Sequence, residues 1–452
     1  MAQDFATLKK IYNVFDPFRP LPAGDAAYVN CQEVRGDGDI LVEVGNEILL
    51  SDRKTCQLYA GHRGAGKSTE LLRLQKNLND QGCFVVYFAA DEEDIEPEDA
   101  QYTDILLACT RRLLEALKDA NREPLVSWLK SRWDDLKDLL PDVSLEGLEV
   151  EKEIPLFAKI TAKLRTEPSL RHKIRDRVNP HTQTLILALN QFIEDAKKRL
   201  PSQYSQLVVI ADNLDRIVPI VQEDGRSNHE HIFLDRSEQL KALNCHLIYT
   251  VPISLVYSNR ATDLRDIYGS DAQVLPMIMV QTPKNESYQR GINKVQELLQ
   301  KRVSQIDPKL SISDMFQQPE ALQQLCLMSG GHVRNLLLLM KSAIKYTDNL
   351  PISTRALQRS ISETRIVYRN TVYADEWQAL AKVHHSKQIV NDEQHRNLLF
   401  NRCILEYRYR DDKEQIQCWY DIHPLIKGIK EFQDAFNDLN PSETQLDETG
   451  TD

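Results

Sequence analysis

The sequence predicts an α/β fold with a mainly parallel five-stranded sheet, then a helical region and a small C-terminal module. Three observations predict it. Five short apolar runs alternate with helical patterns between residues 56 and 280, the order expected of β-α-β units. A glycine-rich loop stands between the first run and the first helix. After residue 282 the strand patterns give way to helical periodicity, with one hairpin-like pair of runs near 404–422.

Composition sets the outer limits. A chain of 452 residues is long enough for about three domains. Hydrophobic residues make up 42% and charged residues 27%, the balance of a globular protein. No apolar run reaches membrane-spanning length, so no membrane partner is expected. The first residues, MAQDFATLKK, lack the apolar stretch of a secretory signal, so the expected location is cytoplasmic. A net charge of −11 argues against a protein that mainly coats nucleic acid. Eight cysteines are scattered without a C-x-x-C pair, which reads as reduced core thiols.

Residues 1–54 form an N-terminal segment with turn residues around 17–25. CQLYA (56–60) is the first strand, and a helix begins near Lys67. CFVVYFAA (83–90) is a second strand, apolar throughout as in a buried parallel sheet. The acid-rich run DEEDIEPED behind it reads as a solvated loop. Amphipathic helices are expected at 102–117 and 127–140, the latter with Trp128 and Trp133 on its apolar side. LEGLEVEKEI (145–154) is a short hairpin or a loop. The stretch 159–177 is the most basic of the chain, with Lys159, Lys163, Arg171, Arg175 and Arg177 at spacings that suit a stripe. A helix over 182–200 leads to the strand QLVVIA (206–211). CHLIYTV (245–251) and VLPMIMV (274–280) complete the sheet. The core thus spans 55–282, with a helical insertion at about 120–180. Helices follow at 285–304, 319–328, 332–346 and 354–366, forming a region 283–370. A further module, 371–432, reads as two helices, a hairpin and a closing helix. The acidic end, 433–452, reads as a disordered tail.

The chemistry concentrates in the loop after the first strand. Gly61, His62, Arg63, Gly64, Ala65, Gly66, Lys67 and Ser68 fit G-x-x-x-x-G-K-[ST] at every fixed position, with Thr69 next. Glycines allow positive φ, so successive N–H groups can line a concavity for phosphates. The helix that follows adds the positive end of its dipole. Lys67 is long enough to reach β and γ phosphates, and the Ser68 hydroxyl can ligate Mg²⁺. Such a loop works with an acid at the end of a neighbouring apolar strand. Leu207-Val208-Val209-Ile210-Ala211-Asp212 supplies it, so Asp212 is the metal-side carboxylate. The next residue is Asn213, which can hydrogen-bond a water but cannot take its proton. Asp215 lies two residues further on. The expected ligands are ATP and Mg²⁺.

On these residues the chain resembles the additional-strand P-loop NTPases, namely AAA+ proteins of the origin-recognition type and STAND signalling ATPases. The D-x-L-D-R continuation at 212–216 is similar to theirs, with Asn213 in place of an acid. Thr250, ending the fourth strand, stands where these families carry a polar sensor of the γ-phosphate. Ser329-Gly330-Gly331-His332-Val333-Arg334-Asn335-Leu336 looks like the start of their lid helix, in which Arg334 would contact the γ-phosphate. Val333 is nearer the origin-recognition form, since STAND proteins often carry Pro there. Arg260 and Arg265 stand where AAA+ proteins present an arginine finger. The module 371–432 resembles the winged-helix domain that often follows such a lid.

Three functions follow as expectations. The first is a nucleotide-gated switch that self-associates with ATP, hydrolyses slowly and signals to a separate effector protein, as in prokaryotic antiviral defence. The second is a DNA-binding ATPase of the origin-recognition or loader type. The third is a nucleotide-binding scaffold that never hydrolyses. The acidic balance of 371–432 predicts weak, non-specific DNA binding at most.

Overall fold

The computed structural model describes residues 2–139 and 153–439. The chain folds as two compact units. One comprises Ile40–Ala60 and Glu70–Val274; the other gathers Met1–Asp39, Gly61–Thr69 and the chain from Leu275 onward. These units cut across the segments expected from sequence, because the glycine-rich loop groups with the C-terminal half.

The first unit is built on the sheet. Its strands are β1 (Cys56–Gly61), β2 (Cys83–Ala89), β3 (Gln206–Asp212), β4 (His246–Thr250) and β5 (Gln273–Leu275). Their order is β2-β3-β4-β1-β5. β1 with β4, β2 with β3, and β3 with β4 all pair in parallel. β3 is buried from Leu207 to Asp212, which is why its sequence is an unbroken apolar run rather than an alternation. Helices Tyr102–Ala116 and Thr182–Lys198 bury apolar faces centred on Ile105, Leu106, Leu113, Leu185, Leu189 and Phe192.

Several sequence expectations are corrected here. The strand at 274–280 is ladder-paired only to Leu275. Pro276 has no N–H to give, and the next donors go elsewhere: Met277 N to Glu406 O at 3.0 Å and Met279 N to Val34 O at 2.9 Å. The helix expected over 127–140 breaks at Arg132, between helices Glu123–Ser131 and Trp133–Leu136. Five helical positions separate the two tryptophans by about 140°, so an unbroken helix would not place both on one face, and both are buried. The acid-rich run 91–99 is not a solvated loop. Asp94 is fully buried between Arg111 and Arg112, and Asp99 pairs with Arg171 and Arg175. The hairpin or loop at 145–154 lies outside the described residues, apart from Glu153 and Ile154, which open the helix Glu153–Thr166. The tail expected over 433–452 is corrected at its start, since 433–439 belong to helix Lys430–Leu439, which buries Phe432 and Ala435; the rest lies outside the described residues.

The second unit carries helices Gln289–Val303, Pro319–Met328, Val333–Lys345 and Thr354–Thr371. Helices Trp377–Ser386 and Glu393–Phe400 follow. The antiparallel pair β6 (Ile404–Arg410) and β7 (Ile416–Ile422) comes next, and helix Lys430–Leu439 closes it. The glycine-rich loop is part of this unit's packing. Ala65 shares an apolar cluster with Met277, Met279, Leu405, Tyr407 and Trp419, and the Tyr407 and Trp419 rings stack at 4.5 Å.

Candidate functional site

The loop Gly61–Thr69 runs from β1 into helix Lys67–Asp80. Gly64 and Gly66 both hold positive φ, +91° and +115°, which a side chain would resist. They differ in what surrounds them. A Cβ on Gly64 would lie 2.7 Å from both Arg334 Cβ and His332 Cε1, whereas a Cβ on Gly66 would meet nothing within 4 Å. The side of the loop at Gly66 is therefore an open cradle, and the side at Gly64 is packed. Lys67 is buried, and its Nζ donates to Gly61 O at 2.8 Å and His62 O at 3.1 Å. Ser68 lies half-buried in the first helical turn. Thr69 Oγ1 accepts from Leu21 N at 3.1 Å, and Arg35 Nη2 donates to Ala65 O at 2.8 Å.

Two buried histidines hold the packed side. His62 Nε2 accepts from Glu406 N, on β6, at 3.0 Å. Burial, with the charges of Lys67 and Arg402, lowers its pKa to about 3, so it is neutral. His332 donates from Nε2 to Arg63 O at 2.8 Å, while its Nδ1 caps helix Val333–Lys345 by accepting from Asn335 N at 3.0 Å. Burial and the same Arg402 charge keep it neutral as well. Arg63 lies over the Phe400 ring at 5.8 Å. Arg334 donates its backbone N–H to Gly64 O at 3.2 Å. Its guanidinium faces Pro17 O at 3.3 Å and the Phe18 ring at 5.5 Å. The structure thus brings Arg334 onto the glycine-rich loop through its backbone. Sequence reading missed His62, apart from its place in the motif, and His332. The signal for His332 was its position before Val333, where a helix cap belongs.

The strand-end acid sits in the sheet unit. Asp212 is fully buried; its Oδ2 accepts from Tyr87 Oη at 2.8 Å and its Oδ1 from Asn213 N at 2.7 Å. Asn213 takes φ +65°, a left-handed conformation that Asn tolerates and longer side chains resist. Its Nδ2 donates to Asp91 Oδ1 at 2.7 Å. Thr250 Oγ1 accepts from Leu214 N at 2.9 Å, fixing the turn behind Asp212. Asp215 is buried in that turn. Arg260 is held by Asp235 and Asp263, each at 3.0 Å. Arg265 is 67% exposed, with Asp271 at 3.6 Å.

The basic stretch 159–177 does not form the expected stripe. Arg171 and Arg175 are buried. Arg171 pairs with Asp99 at 2.9 Å, and Arg175 with Asp99 at 2.7 Å and Asp104 at 2.6 Å. These arginines tie helix Pro168–Val178 to the carboxylates around the start of helix Tyr102–Ala116.

No family model and no curated protein matches the chain. Solved structures do. They include the ORC2 protein of Aeropyrum pernix in its ADPNP–ADP complexes, at 11% identity, 95% of this chain, 98% of that chain and a TM-score of 0.40. Another is Cdc6p of Pyrobaculum aerophilum, at 12% identity, 94% and 98% coverage and a TM-score of 0.40. A third is the ORC1 protein of Aeropyrum pernix in complex with DNA, at 11% identity, 96% and 98% coverage and a TM-score of 0.38. At TM-scores of 0.40 and below, these likenesses carry no argument. The chain's own topology is more direct: β4 is set between the loop-bearing β1 and the acid-bearing β3. With G-x-x-x-x-G-K-[ST] at the end of β1, the chain has the parallel-sheet fold of an additional-strand P-loop NTPase.

Proposed function

We propose that the chain is an ATP-binding P-loop ATPase of the origin-recognition type. The observation that carries the reading is Gly66, at positive φ with open space where a Cβ would stand, followed at once by Lys67 at a helix N-terminus. Backbone N–H groups and a helix dipole suit a polyphosphate there. The residues of the loop fit a nucleotide: Gly61 to Thr69 suit the phosphates, and the Ser68 hydroxyl is a hard oxygen ligand for Mg²⁺, while Asp212 is the strand-end carboxylate that the motif pattern assigns to the metal. When bound, Mg²⁺ neutralises charge on the β and γ phosphates. Lys67 turns from the loop carbonyls to the phosphates, a rotation its flexible stem permits. Val333, in the lid sequence, supports the origin-recognition form. The defence-switch reading, with a separate effector, rests on sequence resemblance alone. ATP-dependent self-association belongs to the proposal, as do Thr250 and Arg334 as γ-phosphate sensors.

Arg265 is the better arginine-finger candidate, because Arg260 is already committed to two carboxylates. Asn213 favours a second reading, a scaffold that binds ATP without cleaving it. Phosphate release from Mg·ATP, with Lys67→Ala as control, separates the two. Turnover that disappears in the variant supports the ATPase; tight binding without turnover supports the scaffold.

A further inference from the structure

Arg35 lies outside the phosphate motif, on a short turn of the N-terminal segment that shares a compact unit with the loop Gly61–Thr69. The turn is fixed on both sides of it. Val34 O accepts from Met279 N at 2.9 Å. Gly36, at φ +79°, runs so close to β6 that a Cβ there would stand 2.9 Å from Arg408 Cβ. The arginine itself is 7% exposed. Its Nη2 donates to Ala65 O at 2.8 Å. Its Nε, also buried, has no hydrogen-bond partner among the described residues, and among those residues the guanidinium forms no ion pair. A cation buried without a carboxylate destabilises the fold that holds it, so stability does not explain its place.

Peptide geometry does. The Ala65 carbonyl and the Gly66 N–H belong to one planar trans peptide, in which they point in opposite directions. By holding the oxygen, Arg35 turns the Gly66 N–H to the side away from itself. Gly66 is at φ +115°, with open space where a Cβ would stand. Ala65 is anchored as well: its N–H donates to His62 O at 3.1 Å, and its methyl packs in the cluster with Met277 and Leu405. The same guanidinium sets a positive charge behind the loop, in a buried setting where its field is weakly screened.

We propose that Arg35 is a positioning residue for the phosphates: it acts through Ala65 to aim the Gly66 N–H, and its unpaired charge is balanced when a polyphosphate fills the loop. The proposal rests on the nucleotide-binding reading above and adds to it a residue that the motif does not contain. It makes affinity and stability move apart, because the charge is unfavourable in the empty protein and favourable in the occupied one.

The test compares Arg35→Met, which keeps the bulk of the stem without the charge, with Arg35→Lys, both in the full chain. Isothermal titration measures binding of Mg·ATP and of inorganic triphosphate, and urea denaturation gives the midpoint without ligand. Arg35→Met should bind both ligands about tenfold or more weakly, the loss expected of a charge-assisted contact. Its midpoint should stay at or above the wild-type value, since an unpaired buried charge has gone. A single contact to one carbonyl does not need the guanidinium fork, so Arg35→Lys should bind both ligands within about threefold of wild type. Unchanged ATP affinity in Arg35→Met would overturn the proposal. Lost ATP affinity with triphosphate binding intact would overturn it too, because the effect would then lie away from the phosphates. A midpoint that falls together with affinity would make Arg35 a packing residue, and Arg35→Lys no better than Arg35→Met would deny any role to the charge; either result overturns the proposal. Wild-type protein that binds neither ATP nor triphosphate would instead remove the nucleotide reading itself.

Discussion

Asn213 carries two demands at once, a left-handed backbone at φ +65° and an amide that reaches Asp91. The two can be separated. Asn213→Gly keeps the backbone relaxed and loses the amide. Asn213→Ala loses the amide and adds strain of about 1–2 kcal/mol. Urea denaturation of both variants should therefore show the alanine less stable than the glycine; equal midpoints would mean that the turn relaxes around the substitution. This residue scale is also where the sequence was least legible. The positions of Lys67, Ser68 and Asp212 are readable because they follow chain-local grammar: a loop before a helix, an acid at the end of an apolar run. The bond between Asn213 and Asp91 was not readable, because it comes from the β2–β3 register. In the sequence Asp91 is one acid in an acid-rich run. The same holds for Arg171 and Arg175, which look like a surface stripe until helix packing buries them against Asp99 and Asp104.

At the scale of elements, strand positions were legible wherever an apolar run had its own N–H groups to pair, as in β2 and β3. The run 274–280 failed because Pro276 breaks the ladder and the donors beyond it serve other segments. The packing of β6 on the phosphate loop was not legible, since nothing local marks Leu405, Tyr407 or Trp419 as partners of Ala65. That packing has a consequence for pH. His62 and His423 are buried and neutral, each lowered to about 3 by desolvation first and by nearby cations, Arg402 among them, second. Their folded pKa values lie below the unfolded value near 6.5. Their neutral burial is therefore without cost above about pH 6.5 and becomes progressively destabilising as pH falls towards 3. By pH 5 each contributes a loss of roughly 2 kcal/mol. His332, lowered in the same direction, adds to it. Urea midpoints should thus fall steadily between pH 7 and pH 5, a window above most carboxylate titrations. A flat profile there would mean that these rings are protonated without cost, contrary to their burial.

At the scale of the whole molecule the question is the partner. Among the described residues no helix is long and apolar enough to cross a membrane. With Arg171 and Arg175 consumed by ion pairs and a net charge of −11, the exposed cations of 159–177 are reduced to Lys159, Lys173 and Arg177. Duplex binding, measured by fluorescence anisotropy across a salt series, should be weak and non-specific for the nucleotide-free chain, weakening steeply as salt rises. Tight, sequence-specific binding would mean that another surface reads DNA. All of this rests on one claim, that the loop Gly61–Thr69 holds the phosphates of ATP. Isothermal titration of the chain with ATP, in the presence of Mg²⁺, tests it most directly. Wild-type protein should bind ATP at one site, and Lys67→Ala, which removes the motif's lysine, should lose that binding by tenfold or more, about 1.4 kcal/mol. Unchanged ATP affinity in Lys67→Ala would contradict the account.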